Sequence, residues 1–339
     1  MNRINIIIIV LIFALFTFSC STELDINDEW SDIPVIFCIL DQSQEYQYIK
    51  VNKTFLGEKP ASEMAQHSDS LYYENVKVIL YEYDGNNTIS AIEFTEVDTI
   101  PKESGYFAND KNIIYITDYQ LNENYKYQLE VTIDDGRKVI SSDIIELISG
   151  AAITRPHPQI LTISVHRYDA PFTYAYNPGY NTKVSQMNLY FNYIEVLNED
   201  TAYHTIKWPQ SLNVRSDDSD NNTIEGSFEI KGFYSQLANN IPEADENLKR
   251  YAKMPDSFEF RLSIANRDYS TYMEISAPSH GIIQEKPSFS NIDDAIGLFA
   301  AKYNTNKIIK LDGNTLDSIS RGIYTKHLGF QSRHSEYYQ

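Results

Sequence analysis

Asp217-Asp218-Ser219-Asp220-Asn221-Asn222 is the run of side chains whose spacing could hold a metal ion. Counting from Asp218, oxygens fall at positions 1, 3 and 5, as Asp218, Asp220 and Asn222, and Glu229 stands at position 12, the ligand order of a calcium loop. Position 6 is Thr223, where the sharp turn of such a loop requires Gly, and Glu229 lies in a strand-like run. An acidic, solvated turn without metal is therefore expected, with calcium as the alternative. The seven histidines lack the i, i+4 or HExxH spacing that places zinc ligands on one helix face.

A second constellation is aromatic. Tyr168, Phe172, Tyr174, Tyr176 and Tyr180 crowd a stretch that reads as a loop because it contains Pro171, Pro178 and Gly179. On a loop such rings could contact a ligand or a partner protein, since they offer large area at small entropic cost. The plainer expectation is that they cover a junction between domains. No G-x-S-x-G elbow, phosphate-cradling G-x-x-x-x-G-K-S/T loop or C-x-x-C pair occurs. A non-enzymatic chain without a cofactor is expected; a glycan hydrolase would need two facing carboxylates, which spacing alone does not reveal.

Cys20 offers the most specific chemistry. Arg3, the apolar run from Ile6 to Phe18 and the small residue Ser19 precede it, the order of a secretory signal and its cleavage site. The run is 13 residues long, short of the roughly 20 that a helix needs to cross a membrane. A cysteine at the junction can be acylated on its thiol and, after cleavage, on its freed amine. The box Thr17-Phe18-Ser19-Cys20 departs from the usual lipoprotein pattern at Thr17, where a residue like Leu is common. Acyl chains such as palmitate would hold the chain durably, each buried CH₂ contributing about 0.8 kcal/mol. Cys38, the other cysteine, sits in the apolar run Val35–Leu40 and reads as a small buried hydrophobe.

The body behind Cys20 carries 47 acidic against 28 basic residues, a net charge of -19, which repels nucleic acid and anionic lipid surfaces alike. Membrane attachment would thus rest on the lipid anchor. The 26 tyrosines, with Ile, Val and Thr, favour strands. Alternation in Tyr125-x-Tyr127-x-Leu129-x-Val131, and a hairpin from Val76–Tyr83 through Asp84-Gly85-Asn86-Asn87 to Thr88–Thr95, point to a sandwich. The expected fold is mainly β, an immunoglobulin-like β-sandwich followed by a second β-rich domain with one or two short helices.

The expected organisation is a signal peptide over 1–19, an acidic tether over 20–32, the sandwich over 33–150, the second domain over 151–310 and a tail over 311–339. A boundary falls at Gly150–Pro158, where Arg155-Pro156-His157-Pro158 interrupts strand pairing. Beyond it, strands are expected at Ile160–Val165, Gln186–Val196, Ile224–Ile230 and Ser257–Ala265. Helices are expected at Pro242–Ala252 and Asp268–Ser276, and Gly57–Ser70 reads as a loop.

Three C-terminal stretches carry a resemblance: the strand Phe258–Ala265, the tyrosine-bearing Asp268-Tyr269-Ser270-Thr271-Tyr272-Met273, and Ser290-Asn291-Ile292 followed by Gly297-Leu298-Phe299. Together with the leader and the pattern from Leu121, they make the chain similar to a family of Bacteroidota outer-membrane lipoproteins of unknown function. It departs from that pattern at Asp294-Ala295, where a Gly-rich turn is usual. Members are often encoded beside TonB-dependent transporters. The resemblance implies a lipid-anchored accessory or ligand-binding partner of such a transporter in the outer membrane, facing the outside if the acidic tether acts as an export signal. A surface adhesin or structural assembly subunit is the alternative that the fold allows.

Overall fold

Alternation of apolar and polar side chains turns this chain into strands, and the computed structural model describes residues 32–54, 60–198, 200–216, 221–277 and 288–338. The first half contains β1 (Pro34–Asp41), β2 (Gln47–Lys53), a helical turn α1 (Ala61–Met64), β3 (Val76–Asp84), β4 (Asn87–Glu93) and β5 (Thr95–Val97). It continues with β6 (Ile114–Thr117), β7 (Lys126–Ile133), β8 (Lys138–Ser141) and β9 (Ile145–Glu146). After them come β10 (Ala152–Arg155), β11 (Thr162–Ile163), β12 (Pro171–Asn177), β13 (Val184–Leu197), β14 (Asp200–Val214) and β15 (Ile224–Glu229). Helix α2 (Ile230–Asn240), β16 (Leu248–Ala252), β17 (Phe258–Ala265), α3 (Arg267–Ser276), β18 (Ile296–Leu311) and α4 (Gly313–Arg321) complete the body. The protein is mainly β.

One ten-stranded sheet organises the whole body, in the order β14-β13-β17-β18-β1-β2-β6-β5, with β11 on β18 and β16 on β13. A five-stranded sheet, β4-β3-β7-β8 with β9 on β7, packs across from its β1-β2-β6 end. Ile36, Cys38 and Leu40 of β1 meet Val78 and Leu80 of β3 and Leu129 and Val131 of β7 in a shared core, giving a β-sandwich. Burial pushes the Cys38 thiol far above its ordinary range, so it stays protonated and inert there.

A second core lies on the same side of the large sheet. Phe258, Phe260 and Leu262 of β17 and Leu189 and Phe191 of β13 pack there against Tyr174, Tyr176 and Phe228 of the small sheet β10-β12-β15, and against Phe233, Tyr234 and Leu237 of α2. The expected boundary at 150–158 marks the change from one core to the other, yet the chain does not part into two bodies there. Residues Ile33–Gln339 form one compact unit. The reason is β18: one face of this strand sends Phe299 and Ala301 into the first core and Ile309 and Leu311 into the second. Its parallel pairing with β1, Val35 opposite Ile296 through Asp41 opposite Lys302, makes the sheet continuous.

The Ser-Asn-Ile … Gly-Leu-Phe stretch is a structural clasp for that pairing. Asn291 is buried and its amide mimics a neighbouring strand, Nδ2 donating to Phe299 O at 2.7 Å while Oδ1 accepts from Phe299 N at 2.9 Å. Gly297 lets β18 enter against β1 at a backbone angle, φ +152°, that other residues avoid.

Four local expectations are corrected. Pro242–Ala252 is not a helix: Leu248–Ala252 is β16, because Arg250 and Ala252 point inward two residues apart and pair with β13. Residues 230–240 are helical instead, with Ile230, Phe233, Tyr234 and Leu237 at the i, i+3, i+4, i+7 spacing of one buried face. The segment 311–339 is not a tail: Leu316, Ile319, Leu328 and Phe330 enter the second core. Within the expected loop Gly57–Ser70, Ala61–Met64 and Ser68–Ser70 are helical turns, and 57–59 lie outside the described residues.

Candidate functional site

The aromatic group expected on a loop belongs to the core. Pro171–Asn177 is the strand β12, whose alternation buries Tyr174 and Tyr176; the Tyr176 hydroxyl meets Ser185 Oγ at 3.1 Å. Phe172 stacks on Phe228 and Phe260, and Tyr168 meets Tyr234 and Tyr324 edge-on at 4.7 and 5.1 Å. Of the five, Tyr180 alone is exposed. Tyr168, Phe172, Tyr174 and Tyr176 pack in or against the second core, and Tyr180 lies outside it.

The alternative calcium ligands are only partly described. Asp217–Asp220 lie outside the described residues, while Asn222 and Glu229 bracket β15, an extended strand of six residues. Extension separates Ile224 from Glu229 by about 17 Å, far beyond the span of one coordination sphere. No cluster of three metal-ligating side chains occurs among the described residues. Cys20 also lies outside them. No described helix is long and apolar enough to cross a membrane.

A groove instead opens on the face of the ten-stranded sheet turned away from both cores. Residues two apart on a strand share a face, and strand pairing aligns them into rows across β14, β13, β17 and β18. The first row is Val214, Val184, Ala265 and Lys302. The second is Leu212, Gln186, Ser263 and Asn304. A bulge adds one residue to β14, and the third row follows with Pro209, Asn188, Arg261 and Asn306. The fourth is Lys207, Tyr190, Glu259 and Ile308. The floor thus grades from an apolar end to a polar one.

Helix α3 walls the apolar end. Asn266 caps it, accepting from Tyr269 N at 3.1 Å, and Tyr272 meets Phe37 of β1 edge-on at 5.6 Å. Between α3 and the first two rows lies a cavity of about 770 Å³, with Tyr269 and Met273 opposite Val184 and Val214. Ser263 and Asn304 line both this cavity and a second one of about 410 Å³ over Tyr190, Arg261 and Asn306. The two form one continuous groove.

The polar end is preorganised. Arg261 Nε donates to Glu259 Oε1 at 2.8 Å, and Asn306 Nδ2 donates to the same oxygen at 3.0 Å. The Arg261 guanidinium covers the Tyr190 ring at 4.5 Å and is held above its ordinary pKa mainly by its bond to Glu259. Lys302 pairs with Asp41 at 3.4 Å. Asn188 is 2% exposed; its Nδ2 reaches Gln186 O and Ser263 Oγ only at 3.4 and 3.5 Å, and its Oδ1 has no hydrogen-bond partner. Amides, a hydroxyl and paired charges are groups that hold and orient a ligand.

Asp268, in the first turn of α3, gives the apolar wall a pH dependence. Burial, followed by the nearby Asp143 carboxylate, raises its pKa above the ordinary carboxylate value. A raised folded-state pKa favours folding below the unfolded pKa of about 4, and that contribution is lost as pH rises through the folded value. Asp268→Asn is therefore expected to melt higher than the wild type at neutral pH, with the difference closing in acid. Thermal melts across pH check this; a wild type that melts higher at neutral pH would refute it.

No protein-family model and no curated protein matches the chain. Among solved structures it is similar to the C-terminal globular domain of oligosaccharyltransferase from Pyrococcus abyssi, at 14% identity and a TM-score of 0.20, covering 61% of this chain and 39% of that one. It is also similar to CBD12 from CALX1.2, at 9% identity and a TM-score of 0.16, covering 79% of this chain and 98% of that one. The chain spans well under half the length of the first, and at such scores neither likeness assigns a function.

Proposed function

We propose that this chain is a lipid-anchored, non-enzymatic lipoprotein of the outer membrane that binds a ligand in the sheet-face groove as an accessory of a TonB-dependent transporter. The groove carries this reading: it is large, graded from apolar to polar, and its polar side chains are fixed by one another before a ligand arrives, which lowers the ordering cost of binding. The leader, the junction at Ser19-Cys20 and the family resemblance support the anchor and the location.

The anchor predicts that Cys20→Ala, expressed in a bacterium with lipoprotein processing, moves from the membrane to the soluble fraction and loses incorporation of labelled palmitate. Retention in a high-salt-washed membrane with no change in label would refute the anchor. Purification of the wild-type chain from native membranes in mild detergent is expected to bring a TonB-dependent transporter with it, and elution alone at native expression would refute the partnership.

The edge of the sheet supports the second reading, an adhesin or assembly subunit. β14 is 15 residues long and stands at the end of the strand order, with Tyr203 and Leu212 exposed. Such an edge can accept a further strand from another chain. Ordered oligomers of the purified chain, abolished by Tyr203→Pro in the stretch of β14 ahead of its own Pro209, would favour it over the transporter partnership.

A further inference from the structure

We infer that the sheet-face groove is a binding site for an uncharged oligosaccharide lying along the strands. The inference rests on the ligand-binding reading above and names the class of ligand. From Val184 to Tyr190 the floor runs about 20 Å, and the two cavities over it join through Ser263 and Asn304. A site of this length suits a chain of rings better than a single small molecule.

Charge selects the class. The two cations that line the cavities are already paired, Arg261 with Glu259 and Lys302 with Asp41 of β1, and Lys207, at the end of the fourth row, lines neither cavity. An anionic ligand would have to break one of these pairs, at Arg261 leaving Glu259, which is 7% exposed, without its cation, and would also face Glu274 at the apolar end. The floor also carries Gln186, Asn188, Ser263, Asn304, Asn306 and the Tyr190 hydroxyl, each able to donate and to accept. A sugar hydroxyl does both as well, so a run of amides matches a run of hydroxyls. Asn188 Oδ1 is the buried acceptor that lacks a donor, and it lies one row from Ser263 beside the partly exposed Arg261.

The apolar end fits the same class. Pyranose rings carry C–H faces as well as hydroxyl edges, and Val184, Val214, Tyr269 and Met273 offer apolar surface for such a face where α3 overhangs the floor. Met273 is unbranched and exposed, so it adapts to the ring that sits there. Binding needs no covalent step and releases the ligand unchanged.

The test is an array of neutral and acidic oligosaccharides probed with the full-length chain in a detergent without a sugar headgroup, followed by calorimetry on the strongest neutral oligosaccharide retained. Neutral oligosaccharides are expected to be retained and monosaccharides not. Arg261→Ala at the polar end and Asn304→Ala between the two cavities are each expected to weaken binding at least tenfold; Asn304→Ala is expected to melt as the wild type does, whereas Arg261→Ala melts lower because it strips Glu259 of its cation. Asn304 is the safer of the two, since its recorded bond is a long one of 3.4 Å to Asp41 Oδ2. An array with no neutral oligosaccharide retained, retention of acidic ones alone, or affinities unchanged in Asn304→Ala would each overturn the proposal. Any of these leaves the palmitate label and the transporter co-purification standing, so loss of the glycan site and loss of the lipoprotein reading are told apart.

Discussion

Gly297→Ala is expected to cost the protein more than about 3 kcal/mol, beyond the ~1–3 kcal/mol of backbone strain alone. At φ +152° an added Cβ would stand 1.8 Å from Ile36 O and 2.7 Å from Ile36 C, both backbone atoms of the strand it pairs with. No rotamer relieves a clash with a backbone, so β18 must lift away from β1. That pairing is the sole link in the strand order between β2, β6 and β5 on one side and β17, β13 and β14 on the other. Phe299 and Ala301 would leave the first core with it. Urea unfolding is expected to show a lower midpoint and to divide into two steps, the sandwich opening first. A single transition at the wild-type midpoint would show that β18 tolerates the shift and that the clasp is not what joins the cores.

The same segment shows what the sequence made legible. Gly297-Leu298-Phe299 stood out as part of a resemblance, but its physical role depends on Ile36, some 260 positions away, and spacing along a chain does not report such a pairing. Strands that bury one face and wet the other were readable. The Tyr125-to-Val131 alternation is β7, and Val76–Tyr83 with its return is the β3–β4 hairpin. β12 was hidden because Pro171 and Pro178 suggested a loop, although Phe172, Tyr174 and Tyr176 alternate as a strand should. At 242–252, helix-favouring residues lost to cross-strand pairing, since propensity is a weak prior against a buried arginine that needs β13.

The groove was illegible for a different reason. Each row takes one residue from each of four strands, drawn from 184–190, 207–214, 259–265 and 302–308, and it exists only once their registers are fixed. A one-residue slip of β17 would send Arg261 and Ser263 into the core and Leu262 onto the floor. What the sequence did show was that every second residue of Phe258–Ala265 is apolar, which fixes the inner face. The polarity of the other face is legible in the same alternation, but its neighbours are not. Aromatic crowding marks 168–180, where the rings of Tyr168 to Tyr176 serve packing, while the groove relies mainly on amides that carry no motif.

Arg250→Ala is expected to be the second severe variant, destabilising by about 3–5 kcal/mol, the usual cost of breaking one side of a buried ion pair. Arg250 is 1% exposed; its Nε donates to Glu195 Oε2 at 2.9 Å, and Nη1 donates to Pro242 O at 2.8 Å and Leu328 O at 2.7 Å. Removing the side chain strands Leu328 O in a buried site, takes the cation from the partly buried Glu195 and the donor from Pro242 O, and opens a void beside them. The backbone of Arg250 also holds the C-terminal segment, accepting from Gln331 N at 2.8 Å and donating to Gly329 O at 3.0 Å. Loss should therefore appear first at residues 328–331, as faster amide exchange there than in β17. Glu195→Gln added to Arg250→Ala should recover part of the stability, because an uncharged amide tolerates isolation better than a carboxylate. If the double variant were no more stable than the single one, the damage would lie in the void and the two carbonyls. Arg250→Met, which refills the space without restoring a donor, would then be expected to rescue little, since Pro242 O and Leu328 O would still lack a partner.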